Sequence, residues 1–267
     1  MDPSFVEPDR PLPVFEIEGS FRRVAVLSDV HGNVPAFTAC LADVARENVD
    51  AIVFLGDLTW GPQPSETLAL ARSLDWPAWF VRGNSERAVI EFADGTRVGD
   101  YPNDEWMVAA HGPDGVAAVS GFARALCLSV DGFGDIRLCH GSPRSDIELL
   151  TPSTPAERIE RATVGVAETI VGHGHTHVQY QRLVGKRTVF GPGSVGIPYG
   201  TEGQPGARWV LLTTGIDLRV SPYDIEESIA IARSIEYPGL SKYEKYLRTP
   251  PSLDDIVLDA ERLEFSD

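Results

Sequence analysis

Short apolar runs alternate with amphipathic segments along the first half of the chain. The apolar runs end in Asp or Asn, and they are VAVLSD (24–29), AIVFLGD (51–57) and AWFVRGN (78–84). Residues 34–47 and 65–74 carry apolar side chains at helical spacing between these runs. Ser85 stands where it can cap a further helix that continues through Phe92. Strands that alternate with helices in this way predict a layered α/β fold.

The second half of the chain is mostly β in character. LCLSV-DGFGD-IRLCHG (126–141) predicts a hairpin around a Gly-rich turn, and ETIVGHGHTH (168–177) predicts a strand that leads into a histidine cluster. Three further strands are predicted at 178–193, 207–214 and 217–223. Residues 94–124 follow a less regular pattern, and parts of that stretch are expected to be helical.

No linker or internal repeat divides the chain. The Pro-rich start and the acidic stretch after Tyr237 are expected to lie on the surface. The expected organisation is therefore an N-terminal extension (1–20), one domain (21–237) and a C-terminal extension (238–267).

Composition narrows the setting of this domain. The chain has 267 residues, of which 43% are apolar, so it can bury a substantial core as one large domain, or two at most. It contains no long apolar run and no signal-peptide pattern at its start, so we expect a cytoplasmic protein without a membrane partner. The three cysteines lack a CxxC spacing, so disulfides are not expected. A net charge of −16 argues against binding to long nucleic acid.

Polar residues cluster at the ends of the predicted strands. They are Asp29, His31, Asp57, Asn84, His140, His175 and His177. Oxygen and nitrogen donors without cysteine suit a pair of borderline divalent ions, and the Asp57 carboxylate could bridge them. Each residue alone has a simpler interpretation, because an Asp after a strand is usually a turn or cap and a histidine tract can be a polar cluster. Their joint occurrence at successive strand ends favours the metal interpretation.

Five segments in this order resemble the motifs of the calcineurin-like metallophosphoesterase superfamily. They are SDVHGN, FLGD, VRGNSE, LCHGSP and GHTH, and the resemblance extends over residues 23 to about 200. GPGSVGIP and GDLTWGPQPSETL are similar to segments of the bacterial phosphodiesterase branch, although Gly191 stands where that branch often has Asn. The resemblance implies a β-sandwich flanked by helices, in a four-layer αββα arrangement.

The resemblance also implies a ligand set for two divalent ions. One ion would take Asp29, His31, Asp57 and His177, and the other would take Asp57, Asn84, His140 and His175. Manganese is the expected metal, with iron, zinc and nickel as alternatives. His173 lies outside the motif, where it could hydrogen-bond a ligand. A water activated by the metals would attack the phosphorus, with Asp57, Asn84 and His140 as the catalytic residues.

Ser85 departs from the motif, since much of the superfamily has histidine at this position. A neutral hydroxyl cannot assist a dianionic monoester as a histidine can, which favours small phosphodiesters such as cyclic or other nucleotide-derived compounds. The alternatives are a phosphomonoesterase or protein phosphatase, and a metal-bound regulatory protein with little turnover. The oligomeric state stays open.

Several further side chains near the motifs are candidates for contact with the substrate. Arg82, Arg87 and Arg144 could each offer a guanidinium to a phosphate oxygen, and Ser85 could contact the phosphoryl group. His111 is expected at a helix end near the surface, and Trp60 could stack on a leaving-group ring or pack on its neighbours.

Overall fold

The computed structural model describes residues 10–97, 102–201 and 203–266. The elements of the first half are β1 (Val14–Phe21), β2 (Val24–Leu27), α1 (Val34–Arg46), β3 (Ala51–Phe54), α2 (Pro64–Arg72), β4 (Ala78–Phe80), α3 (Asn84–Asp94) and α4 (Pro102–Ser120). The elements of the second half are β5 (Ala125–Val130), β6 (Gly134–Cys139), α5 (Ala156–Ala162), β7 (Ile170–His173), β8 (Gln179–Val184), β9 (Arg187–Pro192), β10 (Ala207–Leu212), β11 (Ile216–Ser221), α6 (Ile225–Ser234), α7 (Leu240–Arg248) and α8 (Leu253–Leu263).

The strands form two sheets that pack face to face. One sheet has the order β11-β10-β2-β3-β4, and the other has the order β1-β5-β6-β7-β9-β8. The pairs β2–β3, β3–β4 and β6–β7 are parallel, so their carboxyl ends lie at one edge of their sheets. Open α/β sheets build their sites at such an edge.

Alternating side chains of β2 show how the sheets and helices pack. Val24 and Val26 belong to the apolar core between the two sheets, whereas Ala25 and Leu27 face the helices with Phe37 of α1. All four residues of β2 are buried, as expected for a parallel strand covered on both faces. On the outer face of the second sheet, Ile159 of α5 packs against β8 and β9. The predicted four-layer αββα fold is therefore confirmed.

Two element boundaries differ from the sequence prediction. Residues 178–193 form two strands, β8 and β9, which pair as a hairpin around Gly185 instead of one strand. β4 ends at Phe80, and Asn84 is the first residue of α3, with Gly83 and not Ser85 as the N-cap. Glu86 explains the earlier helix start, because its carboxylate accepts the Gly83 N–H at 2.8 Å and so satisfies a free donor of the first turn.

Both expected extensions contain regular structure. Residues 1–9 lie outside the described part of the chain, but Val14–Phe21 pairs in parallel with β5 as an edge strand of the second sheet. After Tyr237 the chain forms α7, which buries Tyr243 and Leu247 in the helix-side core, and α8, whose Ala260 is buried. These segments thus contain strands and helices, and the division of the chain at residues 20 and 237 stays a prediction.

The irregular stretch before β5 contains a broken helix. α4 is interrupted at Gly112, whose φ of 61° is incompatible with a continuous helix, and Pro113 follows directly. The cysteines Cys40, Cys127 and Cys139 are buried free thiols. Within the described residues, no helix is both long enough and apolar enough to cross a membrane.

Candidate metal centre

Loops at the carboxyl ends of the strands bring the seven predicted ligands together. Asp29 and His31 follow β2, Asp57 follows β3, Asn84 opens α3, His140 follows β6, and His175 and His177 follow β7. Two groups of potential ligand atoms result, each with its members within 4.8 Å of one another: Asp29, His31 and His177 in the first group, and Asp57, His140 and His175 in the second. The two sheets therefore contribute to one site at their common edge.

The backbone at this edge adopts an unusual conformation. Five of the seven residues have φ between 51° and 66°, in the left-handed region, namely Asp29, His31, Asp57, His175 and His177. Residues other than glycine pay a free-energy cost there, and such strain clusters at functional sites. Close packing holds one of these loops in place, since a Cβ on Gly83 would lie 2.1 Å from Oδ1 of Asp57.

In the first group, the imidazole rings of His31 and His177 face each other. Their Nε2 atoms are 3.1 Å apart, and Nε2 of His177 lies 3.3 Å from Oδ1 of Asp29. Nε2 of His31 also lies 3.6 Å from Oδ2 of Asp57, which belongs to the second group. Asp57 therefore reaches toward both groups.

Each of these two rings uses its other nitrogen as a donor to the main chain. Nδ1 of His31 donates to the Trp60 carbonyl at 2.8 Å, and Nδ1 of His177 donates to the Ile197 carbonyl at 2.8 Å. In a neutral imidazole the second nitrogen is then a lone pair, so the two facing Nε2 atoms are both acceptors. Oδ1 of Asp29 is buried beside them and accepts no hydrogen bond from any described residue. Acceptors that converge without a donor fit a bound cation.

The second group is also oriented by hydrogen bonds with the main chain. Nδ1 of His140 donates to the Leu55 carbonyl at 2.7 Å, which directs Nε2 toward Oδ1 of Asn84 at 2.9 Å and Oδ1 of Asp57 at 3.3 Å. The Ser85 N–H donates to Oδ1 of Asp57 at 3.0 Å and orients that carboxylate. His175 completes the group, with its ring centroid 5.0 Å from that of His140.

Electrostatics keep most of these groups in the protonation states that bind metal. Burial alone would raise the pKa of Asp29, but the nearby histidines, His177 first, lower it overall. The pKa of Asp57 is also lowered, because His140 and His31 outweigh the effect of burial. Burial lowers the pKa of His31, and it lowers the pKa of His175 to about 4. Ionised carboxylates beside neutral imidazoles are the forms that coordinate divalent metals.

A buried carboxylate supports the Asp57 loop from behind. Glu86 accepts the N–H groups of Asp57 at 2.9 Å and of Leu58 at 2.8 Å, in addition to that of Gly83. Burial and the charge of Asp57 raise the pKa of Glu86 to about 7. The loop that carries the central carboxylate is thereby tied to the first turn of α3.

His111 is placed differently from its prediction. It is buried rather than near the surface. Its Nδ1 hydrogen-bonds the Met107 carbonyl at 2.7 Å, and its Nε2 hydrogen-bonds the Thr59 hydroxyl at 2.8 Å. It therefore supports the loop after Asp57 from the α4 side.

His173 is also buried. Its ring nitrogens lie 2.7 Å from the Tyr180 hydroxyl and 3.0 Å from the Gly174 carbonyl, and in the described residues it joins neither ligand group.

The candidate arginines already have partners or lie partly buried. Arg144 contacts Glu148 through two nitrogens, at 2.9 and 2.6 Å, and Arg87 contacts Asp146 at 2.8 Å. Arg82 is half-buried, and its Nε has no hydrogen-bond partner within the described ranges. Their contact with substrate stays a prediction, and the pairing of Arg144 with Glu148 does not favour it. Trp60 is half-buried against the helix-side core.

Sequence reasoning missed three contacts at the centre. The Tyr199 ring stacks on that of His177, with centroids 4.5 Å apart, and the Ser266 carbonyl accepts from Nε2 of His175 at 2.9 Å. The third contact is the Glu86 carboxylate. Only Glu86 had a local signal, because it lies inside the VRGNSE segment, whereas Tyr199 and Ser266 meet their partners across 22 and 91 residues.

A family comparison agrees with this geometry. The model of the calcineurin-like phosphoesterase superfamily domain matches residues 23–215, which span β2 to the loop after β10. The chain belongs to this superfamily. It is a superfamily of metal-dependent enzymes that act on phosphoesters, and the two ligand groups found here suit that dependence.

Solved structures share the fold of this chain. A metallophosphoesterase from Sphaerobacter thermophilus is 24% identical with a TM-score of 0.67, over 87% of this chain and 100% of that one. The hypothetical protein PH1004 from Pyrococcus horikoshii is 20% identical with a TM-score of 0.70, over 84% of this chain and 97% of that one. At these identities the likeness shows the fold alone.

One curated relative matches over a short region. The uncharacterized protein MJ0912 of Methanocaldococcus jannaschii is 35% identical over 68 residues, which is 25% of this chain. The match spans 27% of the length of that relative.

Proposed function

We propose that this protein is a phosphodiesterase that uses two divalent ions, most readily manganese, to hydrolyse small phosphodiesters. The observation that carries the proposal is the position of Asp57 between the two ligand groups. Its Oδ2 faces His31 at 3.6 Å and its Oδ1 faces His140 at 3.3 Å, so one carboxylate can serve two ions.

The residues fit such a pair of ions. Asp29, His31 and His177 would hold the first ion with Asp57, and Asn84, His140 and His175 would hold the second with Asp57. Bound ions would supply Lewis acidity and a water that is nucleophilic at neutral pH. Two divalent ions against the two carboxylates leave a local charge of about +2, which attracts a phosphate to an otherwise acidic protein.

The chain's own residues set the geometry of the reaction. The main-chain carbonyls on Nδ1 of His31, His140 and His177 prevent these rings from turning away from the centre. Ser85 donates its N–H to Oδ1 of Asp57 and so holds the carboxylate that would serve both ions at the first turn of α3. A preorganised centre of this kind needs little rearrangement when the substrate binds.

Ser85 supports a preference for diesters over monoesters. A monoester near neutral pH carries a dianionic phosphoryl group, whereas a diester carries one negative charge. The buried Ser85 hydroxyl is neutral and adds no positive charge beside the phosphate. Without a positively charged side chain at position 85, the transition state of a monoester is destabilised more than that of a diester.

A matched pair of substrates tests this function. Purified protein with saturating Mn²⁺ is assayed on bis-p-nitrophenyl phosphate and on p-nitrophenyl phosphate, and again after chelation. We expect a higher kcat/KM on the diester and loss of both activities without metal, with Asp57→Asn as a control for contaminating enzymes. A higher kcat/KM on the monoester would identify a monoesterase, and inactivity on a wider panel of diesters would point to a regulatory binding protein.

A further inference from the structure

The segment Glu264–Ser266 reaches the candidate centre from outside the region that the family model matches. Its Ser266 carbonyl lies 2.9 Å from Nε2 of His175. The three other histidines of the centre donate to carbonyls at residues 55, 60 and 197, all within the matched region 23–215. His175 thus depends on a part of this chain that lies outside the matched region.

Main-chain hydrogen bonds hold this segment in place. The Ser266 N–H donates to the Ile147 carbonyl at 2.9 Å, and the Leu149 N–H donates to the Glu264 carbonyl at 2.9 Å. Phe265 forms an antiparallel bridge with Glu148 between these two bonds. The segment therefore adds a short strand to the loop that follows His140, and its register places the Ser266 carbonyl at His175.

A buried arginine also hydrogen-bonds the main chain where this segment docks. The Arg158 guanidinium donates to three main-chain carbonyls, which are those of Leu149 at 2.7 Å, Glu264 at 2.8 Å and Ala260 at 2.9 Å. Its side chain is 9% exposed. A buried cation is costly unless it is hydrogen-bonded, so the bonds from Arg158 to the Ala260 and Glu264 carbonyls favour the docked position of the segment. The Arg144 guanidinium adds a contact over the Phe265 ring, 5.6 Å from its centroid.

We propose that Ser266 is a positioning residue of the metal centre, whose carbonyl fixes the tautomer and orientation of the His175 ring. With the hydrogen on Nε2, the lone pair of His175 lies on Nδ1, which is left for the ion shared with Asp57, Asn84 and His140. An undocked segment would let the ring rotate and exchange tautomers, and the ion would bind less tightly. The inference rests on the proposed two-ion function, but it concerns metal affinity rather than substrate.

A pair of substitutions at one position tests this role in the full chain. Ser266→Pro removes the N–H that bonds Ile147, whereas Ser266→Ala keeps every main-chain contact and serves as the matched control. Mn²⁺ binding is measured by titration calorimetry on metal-free protein. We expect Ser266→Pro to lower the affinity for one of the two ions by about 10–100-fold, as is typical for the loss of a group that orients a ligand. The affinity for the other ion should not change in Ser266→Pro. Ser266→Ala should bind both ions with wild-type affinity.

A coupling experiment shows whether the effect passes through His175. In the wild-type background, deletion of residues 264–267 should lower the affinity for the same ion. In the His175→Ala background, the deletion should not lower that affinity further. Equal losses in both backgrounds would show that the segment acts only on general stability, and would overturn the proposal. Circular dichroism and thermal unfolding establish that each variant is folded, and the two Ser266 variants decide the question if the deletion variant is not.

Two other results would also overturn the proposal. One is unchanged affinity of both ions in Ser266→Pro and in the deletion variant. The other is unchanged affinity with increased turnover, which would identify the segment as an inhibitory cover over the site. Failure of the proposed function looks different, because the wild-type protein would then bind two ions with the expected dependence on Ser266 and still hydrolyse no diester.

Discussion

Each histidine of the candidate centre has two ring nitrogens with separate tasks, and the main chain assigns them. One nitrogen of each ring donates to a carbonyl, as Nδ1 of His140 does to Leu55, and the other is left as a lone pair for a metal ion. Asp57 differs from the histidines because its two oxygens face different ligand groups. Single substitutions at this scale should therefore have unequal effects.

Asp57→Ala should be the most damaging of these substitutions for metal binding. It removes the carboxylate shared by both groups, so we expect fewer than two equivalents of metal to remain after gel filtration, as counted by elemental analysis. His173→Ala is the control, since His173 is buried beside Tyr180 and belongs to neither group in the described residues. Two tightly bound equivalents in Asp57→Ala would contradict the bridging role.

Ser85→His should raise monoesterase relative to diesterase activity. The new imidazole can carry a positive charge or donate a proton near the phosphate, which helps the dianionic monoester more. General acid assistance is worth about 10²–10⁴-fold in good geometry, and we expect a ratio change of at most about 10²-fold at this buried position. The measurement is the ratio of kcat/KM values for a mono- and a diester with one leaving group at saturating metal. Ser85→Ala is the control, and a flat ratio in Ser85→His would assign selectivity to other residues.

At the scale of elements, the first turn of α3 and the loop after β3 behave as one unit. Glu86 joins them by accepting four main-chain N–H groups, from Asp57, Leu58, Thr59 and Gly83. In the same turn, the Asn84 side chain contacts His140 and the Ser85 N–H contacts Asp57. The position of the ligands therefore depends on a side chain that need not touch the metal.

Glu86→Ala should destabilise the protein because it leaves buried N–H donors without an acceptor. Each unsatisfied donor costs about 1–3 kcal/mol, and local relaxation will reduce the sum, so we expect a loss of about 2–4 kcal/mol in the free energy of unfolding. Urea unfolding of metal-free protein measures it. Glu86→Gln keeps one acceptor oxygen and should fall between wild type and Glu86→Ala. Glu66→Ala, in the exposed first turn of α2, should stay within about 0.5 kcal/mol of wild type.

At the scale of the whole molecule, the centre joins the two sheets. Asp29, His31 and Asp57 come from loops of the five-stranded sheet, and His140, His175 and His177 come from loops of the six-stranded sheet. Ions that bind all of these residues connect the two halves of the sandwich. Metal binding should therefore stabilise the complete fold and not only the loops.

Added Mn²⁺ should raise the melting temperature of chelator-treated protein. A ligand at a concentration of 100 times its Kd stabilises the folded state by about 2.7 kcal/mol, which corresponds to a shift of about 5–10 °C for a domain of this size. Differential scanning fluorimetry measures the shift. Asp57→Ala should show a much smaller one, and an equal shift in that variant would mean that Mn²⁺ stabilises the protein at another place.

The sequence by itself determined the layered fold and the residues to be examined for metal binding. Apolar runs of strand length that end in Asp, Asn or His are local patterns, because burial and turn preference act on neighbouring residues. The order of five motifs was also sufficient to identify the superfamily. Parallel strands then bring the ends of successive runs to one edge, so the meeting of residues such as Asp29 and Asp57 followed from the pattern.

Only the tertiary structure decided how those residues are held. The split of 178–193 into β8 and β9 has a local signal in Gly185, whose φ of 60° suits the two-residue turn between the strands. By contrast, the burial of His111 and the docking of Ser266 on His175 had no signal in the chain near them. Each depends on contacts between segments far apart in sequence, where a hydrogen bond forms only after several elements have packed. The Ser266 contact also could not be predicted from side-chain composition, because it is made by a main-chain carbonyl that every residue possesses.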